Sequence, residues 1–179
     1  MAEAPAPPTG STAHAPEREG RQVALAAVFE AEFGQRTATT VLRRRLDEGD
    51  IGERSGAHAS RIVEAVVLHR DSIDARIEEV APTYPVVQLA RIDRALLRCG
   101  VGELLHCPTT PARVAISEWV ELARTYSGEP TRRLMNGALG RVAQQAASRE
   151  GIERDQESPA GPESTTDIVT TAHTEGPAE

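Results

Sequence analysis

Apolar residues recur at three- and four-residue steps through most of this chain, and that spacing constrains its fold more than any other feature. The repeat is most regular between Leu89 and Val142, where it predicts three successive helices. The same spacing places apolar residues along one side of a helix in three earlier segments, residues 21–34, 39–46 and 57–80. We therefore predict an all-α fold of about six to seven helices.

The aromatic residues and the tail composition set the expected domain limits. All five aromatic side chains fall between residues 29 and 126. The two ends are rich in Pro, Ala, Gly, Ser and Thr, and such segments bury too little apolar surface to offset the entropy of ordering. We expect a disordered arm at residues 1–19, a helical domain at residues 20–148 and an acidic disordered tail at residues 149–179.

The net charge of −7 is unevenly distributed. Residues 151–179 carry seven acids and one arginine, whereas residues 21–150 are close to neutral at about +1. The acidic total therefore does not exclude an RNA partner, although it provides no long-range attraction to one. All twenty basic residues are arginine. That usage fits either GC-rich coding bias or selection for bidentate phosphate contacts.

The candidate ligands and acids argue against a metal site and against catalysis. Cys99 and Cys107 fit a reduced, cytoplasmic protein, and Cys107 beside His106 forms half of a metal motif that has no second ligand pair. We expect no metal and no cofactor. Glu118 and Glu121 are better explained as solvated helix carboxylates than as an acid and base pair, so no enzyme activity is expected. The N-terminus lacks the features of a signal peptide, and no apolar run is long enough to span a bilayer.

Several local patterns make specific structural predictions. Residues 57–80 are predicted to form one long helix with His58 and His69 at its surface. A helix capped by Thr110 and ending at Tyr126 is apolar on most sides, which is typical of a central helix. Gly137 inside the last helix is unfavourable relative to alanine, which indicates the close approach of another helix or a ligand.

Some side chains have no obvious partner within their own helix. Phe29 and Phe33 lie one turn apart and form a patch that either joins the core or contacts a partner. Asp93 and Arg94 form no pair four residues apart with their neighbours, and Glu103 lies where the helix dipole disfavours an acid. We expect these charges to meet something outside their own helix.

Four sequence pieces in fixed order resemble the NusB family of bacterial transcription antitermination factors. The family pattern Asp-Arg-(Ala)-(Ile/Leu)-Leu-Arg followed by Glu-Leu matches Asp93 to Arg98 and Glu103-Leu104. Pro-x-x-Val-Ala-Ile-x-Glu matches Pro111 to Glu118, Val-Glu-Leu-Ala matches residues 120–123, and Asn-Gly-x-Leu matches residues 136–139. Each motif alone is weak evidence for the family, but four motifs in this order and at these separations are specific to it. The resemblance covers residues 21 to about 145 and implies a compact NusB-like helical domain.

The resemblance implies binding rather than chemistry. Family members bind a boxA element of nascent, mainly ribosomal, RNA together with NusE, a small-subunit ribosomal protein, and the pair joins the RNA polymerase elongation complex. Matching positions in this chain assign the protein-partner surface to Phe29, Phe33, Asp93 and Arg94. They assign the RNA surface to Arg18, Arg21, Thr131, Arg132, Arg133 and Asn136. The apolar first helix also suits a homodimer contact.

Departures from the family pattern cluster on the RNA side. Glu17 and Glu19 interrupt the usually basic N-terminal segment, Pro130 replaces an Asp, and Leu134 replaces an aromatic residue able to stack on a base. Three hypotheses follow: a working antitermination factor, a divergent protein-binding adaptor with weakened RNA binding, and an enzyme. The related RNA-binding domain of ribosomal RNA methyltransferases does not account for the chain as a whole enzyme, since no catalytic domain follows residue 145.

Overall fold

A computed structural model describes residues 15–157 of the chain, with side chains described for residues 16–149. Across that range the chain forms seven α-helices, one 3-10 turn and no strand, which confirms the predicted all-α class and the number of helices. The elements are α1 Ala15–Ala31, α2 Ala38–Asp47, α3 Glu53–Leu68, α4 Arg70–Val80, the 3-10 turn Val86–Gln88, α5 Arg91–His106, α6 Ala112–Tyr126 and α7 Glu129–Glu157.

Helix α1 begins earlier than the apolar stripe indicated. Its first turn contains Glu17, where an acid is favourable to the helix dipole. Glu17 accepts a hydrogen bond from Arg54 of α3 at 2.6 Å, and Glu19 accepts one from Ser55 at 2.5 Å. Glu17 and Glu19, which interrupt the usually basic N-terminal segment of the family, therefore hold the start of α1 against α3. At the other end, α7 continues to Glu157, past the expected start of the tail. The remainder of the predicted arm and tail lies outside the described residues.

The long helix predicted over residues 57–80 is two helices, α3 and α4. The break falls at His69, whose backbone leaves the helical region at φ −117° and ψ 21°. Ile62 of α3 and Ile73 of α4 are both fully buried, so the apolar stripe continues across the break. No proline or glycine marks this point in the sequence, and the apolar spacing alone therefore could not reveal it.

Helix α5 lies at the centre of the fold. It packs against α1, α3, α4, α6 and α7, and every residue from Ala95 to Glu103 is buried. The expectation that the Thr110–Tyr126 helix is central was wrong, because α6 keeps one side in solvent along Arg113, Ser117 and Arg124. The predicted cap by Thr110 does not form either. Its backbone N–H bonds the carbonyl of Cys107, and α6 begins at Ala112 without a side-chain cap.

Two glycines allow helices to approach closely. A Cβ at Gly20 would lie 2.7 Å from the backbone oxygen of Ser55, so α1 meets α3 there. A Cβ at Gly100 would lie 3.2 Å from methyl carbons of Leu139 and Met135, where α5 meets α7. The close approach expected at Gly137 is absent among the described residues, since a Cβ there would meet only the end of the Arg141 side chain at 3.4 Å.

No helix in the described part of the chain is long and apolar enough to cross a membrane.

Candidate binding surfaces

A buried charged cluster joins α1, α3, α5 and α6. Arg21 donates to both carboxylate oxygens of Glu103 at 2.9 and 2.7 Å, and Trp119 donates to the same carboxylate at 2.6 Å. His58 Nε2 lies 3.2 Å from Glu103 Oε1. All four side chains are almost fully buried. Arg21, Glu103, His58 and Trp119 are called the buried cluster below.

The buried cluster corrects two predictions, for Arg21 and His58, and identifies the partner of Glu103. Arg21, expected at the RNA surface, has a guanidinium that is enclosed and occupied by Glu103, which argues against a phosphate contact. Glu103 has its partner inside the protein, 82 residues away in sequence. His58 lies in the core and not at the surface.

The ionisation of Glu103 follows from these contacts. Burial alone would raise the pKa of the carboxyl, but its interactions with His58 and Arg21 outweigh that effect and lower the pKa to about 2. The Glu103 carboxylate is therefore neutralised by Arg21 and also bonded by Trp119, whereas Arg21 Nη1 is buried without a hydrogen-bond partner among the described residues.

Asp93 and Thr131 contact each other inside the fold. The Asp93 carboxylate accepts hydrogen bonds from Ser127 at 2.5 Å and from Thr131 at 3.0 Å, and Thr131 is only 6% exposed. These bonds tie the first turn of α5 to the loop between α6 and α7, through Ser127, and to the first turn of α7, through Thr131. The structure therefore gives Asp93 and Thr131 positioning roles, which argues against direct partner and RNA contacts by these two side chains.

The end of α1 carries an exposed aromatic pair. Phe29 and Phe33 pack edge to face with ring centroids 5.3 Å apart. Arg91, at the start of α5, places its guanidinium carbon 4.9 Å from the Phe33 ring centroid. Phe33 is 53% exposed, whereas Phe29 is half-buried and also packs against the core. Phe29, Phe33 and Arg91 are called the aromatic surface below.

An ion-pair network supports the loop that carries Phe33. Glu32 pairs with both Arg94 and Arg98, and Arg98 pairs again with Asp74 of α4 at 2.7 Å. Arg94 also donates to the backbone oxygen of Val86 at 3.4 Å. Arg94, which the resemblance assigned to the partner surface, thus meets its partner outside its own helix but inside the protein, since Glu32 lies 62 residues earlier in the sequence. Through Glu32, Arg94 thus supports the backbone next to Phe33 from the interior side of the aromatic surface.

A groove of about 640 Å³ runs between the outer sides of α6 and α7. Arg132 and Asn136, both predicted at the RNA surface, line it, and Arg133 is exposed beside them on the same turn. Hydrogen bonds from Arg132 and then Arg133 lower the pKa of Glu129 to about 2, so this carboxylate stays ionised. The groove is lined by Arg113, Ile116, Ser117, Val120, Glu121, Arg124, Glu129, Arg132 and Asn136 and is called the α6–α7 groove below.

The α6 side of this groove was not predicted from the sequence. Arg113, Ser117 and Arg124 lie four, seven and eleven residues apart, which is the spacing of one helical face. That polar stripe opposite Trp119 was the signal available in the sequence. Arg18, by contrast, is exposed on α1 and is not among the residues lining the groove.

The two cysteines are buried free thiols. Burial raises the pKa of Cys107 to about 11 and that of Cys99 further still. His106 stacks on His69 with ring centroids 3.8 Å apart. Among the described residues, no group of three or more His, Cys, Asp or Glu side chains is arranged to hold a metal ion.

The chain is similar to known proteins over nearly all of its described length. A model of the NusB family matches residues 18–144. The transcription antitermination protein NusB of Dehalococcoides mccartyi (strain CBDB1) is 37% identical over 130 residues, covering 73% of this chain and 91% of the relative. That of Heliobacterium modesticaldum is 32% identical over 154 residues, covering 86% and 74%.

Solved structures share the fold. T. maritima NusB superposes with a TM-score of 0.68 at 28% identity, over 76% of this chain and 96% of that one. NusB in a complex with NusE and dsRNA superposes with a TM-score of 0.66 at 21% identity, over 73% and 97%, which shows the fold alone. By its sequence and its helical architecture, the chain belongs to the NusB family.

Proposed function

We propose that this protein is a transcription antitermination factor that binds boxA RNA together with NusE in the RNA polymerase elongation complex and so supports ribosomal RNA transcription. The observation that carries the proposal is the match to the NusB family over residues 18–144, together with curated relatives that bear the name transcription antitermination protein. The activity is binding rather than catalysis, and we place it in the cytoplasm.

The aromatic surface is the proposed NusE contact. Aromatic and arginine side chains dominate the energetics of many protein interfaces, and here Phe33 and Arg91 present both types to solvent. The Glu32 network supports the loop that carries Phe33, and Arg91 packs on the Phe33 ring, so little ordering entropy is lost on binding. A structural neighbour was solved as a NusB–NusE–dsRNA complex, which supports this assignment by analogy. The competing proposal is that the same surface joins two copies of this chain in a homodimer.

The start of α7 is the proposed RNA contact. Arg132, Arg133 and Asn136 supply exposed or half-exposed donors for phosphates and base edges, and Arg18 adds a further exposed cation on α1. Thr131 contributes indirectly, since its bond to Asp93 fixes the first turn of α7.

A divergent adaptor with weakened RNA binding is the second candidate. The enclosure of Arg21 favours it, because one of the two N-terminal arginines is then unavailable to phosphate. Leu134 is half-buried against the core and offers no ring for stacking. Such a protein would keep the aromatic surface and lose much RNA affinity.

Fluorescence anisotropy with a boxA RNA distinguishes the two candidates. The full chain is titrated into labelled RNA with and without NusE, at several salt concentrations. An antitermination factor binds in the presence of NusE, and its affinity falls as salt rises. Binding to NusE with no RNA binding under any condition would contradict the first proposal and support the adaptor. A scrambled RNA of equal length is the control for non-specific attraction.

A further inference from the structure

The outer side of α6 faces the proposed RNA contact across the α6–α7 groove. Arg113 and Arg124 lie near the two ends of α6 and Arg132 reaches the groove from α7. At 1.5 Å per residue, the α6 side of the groove is about 16 Å long from Arg113 to Arg124. Guanidinium groups thus border an elongated cleft rather than one point, which suits an extended polyanion.

We propose that α6 forms the second wall of the RNA site, so that a single-stranded RNA segment lies along the α6–α7 groove with its phosphates at Arg113, Arg124 and Arg132. This inference rests on the proposed function and assigns α6 residues that the family resemblance did not single out.

Of the three groove arginines, Arg113 has the least internal compensation. It is exposed, and no carboxylate of the described residues lies within 4.0 Å of its guanidinium. It is also the second residue of α6, whose first turn has no side-chain cap. A positive side chain therefore adds to the positive end of a helix dipole, and both are stabilised by an anion such as a phosphate.

The other two arginines are engaged only by exposed carboxylates. Arg124 lies 2.9 Å from Glu121, and Arg132 lies 2.7 Å from Glu129, each three residues away on its own helix. Exposed pairs of this kind are weak, and a guanidinium has five N–H donors, so a phosphate can share or replace the carboxylate. With three arginines and two acids, the groove keeps a net positive charge.

The floor of the groove suits a ribose or base rather than a second row of phosphates. Ile116 and Val120 are half-buried and present aliphatic carbons between the arginines. Ser117 and Asn136 flank them with hydroxyl and amide groups, which form hydrogen bonds to base edges. Without an aromatic ring in the groove lining, most of the affinity would come from phosphate contacts.

Photocrosslinking maps this path directly. The full chain, NusE and a boxA RNA containing 4-thiouridine are irradiated and digested with trypsin, which in a chain without lysine cleaves only after arginine. The α6 wall between Arg113 and Arg124 lies on the peptide 114–124, and the α7 wall lies on the peptides 125–132 and 134–141. We expect crosslinks on the α6 peptide and on at least one of the two α7 peptides. Crosslinks confined to other peptides would overturn the inference.

Removing single arginine charges from α6 gives a second test, read from the salt dependence of RNA affinity. Each of Arg113→Gln and Arg124→Gln should reduce the slope of log affinity against log salt by about 0.7, the value for one phosphate contact on a single strand. Arg43→Gln is the matched control, because Arg43 is exposed on α2, away from this groove, and its loss changes the net charge equally. The double variant should bind more weakly than the control at every salt concentration.

The outcomes separate the inference from the proposed function. If the wild-type chain binds RNA with NusE and the α6 variants match Arg43→Gln, the inference fails and the proposed function stands. If the wild-type chain binds no RNA with or without NusE, both fail. Equal competition by an acidic peptide of matched charge would assign the groove to a protein partner and overturn the RNA assignment.

Discussion

Glu103 links most of the fold through one side chain. Its carboxylate receives Arg21 from α1 and Trp119 from α6, and His58 of α3 lies beside it. Glu103→Gln keeps the shape and removes the charge, leaving Arg21 enclosed without a counter-ion. Breaking a buried pair in this way typically costs about 3–5 kcal/mol. We expect a loss of this order in urea unfolding, while Glu64→Gln on the exposed side of α3 should change little.

The same carboxyl should make stability depend on acid pH. Its pKa is lowered from 4.5 to about 2 in the folded state, so the folded protein binds this proton less readily than the unfolded chain. The stabilisation is present above about pH 4.5 and is lost as pH falls toward 2, by an amount on the order of 3 kcal/mol. The difference in unfolding free energy between wild type and Glu103→Gln should therefore shrink across this range. A constant difference would contradict the assignment.

A substitution at Phe33 tests the partner surface more specifically than one at Phe29. Phe33 is 53% exposed, so Phe33→Asp should abolish co-elution with NusE in gel filtration while leaving the melting temperature nearly unchanged. Leu68→Asp is the control, since Leu68 is 68% exposed at the end of α3 and not part of the aromatic surface. Phe29→Asp is expected to disrupt binding and also to destabilise the fold, because Phe29 packs on the core. Unchanged co-elution of Phe33→Asp would assign NusE elsewhere.

At the scale of helices, the α1–α3 contact depends on Gly20. Gly20→Ala places a methyl group 2.7 Å from a backbone oxygen of α3, and that backbone cannot rotate away as a side chain would. We expect destabilisation of about 1–3 kcal/mol, measured by thermal unfolding. Gly137→Ala is the matched control on α7, where the new methyl meets only a flexible arginine and should stabilise the helix by up to about 1 kcal/mol. Equal effects of the two substitutions would contradict the proposed close approach.

Apolar spacing predicted the helices well and their interruptions poorly. The apolar residues predicted to face inward from residues 57–80 are all buried, yet they gave no sign of the break at His69: Ile62, Val66, Ile73, Ile77 and Val80. Spacing reports which side of a helix is buried, and α3 and α4 both pack against α5, so the pattern continues unchanged across the break. The contacts of Glu17 and Glu19 with α3 could not be predicted either, since Arg54 and Ser55 lie more than thirty residues away in the sequence.

In the whole molecule, hydrogen bonds and ion pairs between residues far apart in sequence determine which candidate side chains are accessible for binding. Arg21, Asp93 and Thr131 matched the family pattern, but each is engaged inside the fold. Phe33, Arg132 and Asn136 were predicted and are accessible. The sequence pattern named the candidate residues, and only the folded arrangement separates those that are engaged inside the protein from those that face outward.

The distribution of charge predicts how the C-terminal residues affect RNA binding. Residues 158–179 contain four acids and no arginine. Truncation after Glu157 should increase the association rate with RNA at low salt, because it removes negative charge that opposes the approach of phosphates. The gain should disappear between about 50 mM and about 300 mM salt as screening increases. Stopped-flow fluorescence measures this, and an identical rate at low salt would show that these acids do not act on RNA.

The intrinsic fluorescence of Trp119 reports on the protein core. It is the chain's single tryptophan, it is fully buried, and its indole N–H donates to Glu103. Opening of the buried cluster exposes the indole to water and moves its emission to longer wavelength, so unlabelled protein can report core disruption. Ser117, on the opposite side of the same helical turns, lines the α6–α7 groove. A ligand in that groove would thus rest on the far side of the helix that carries the fluorophore.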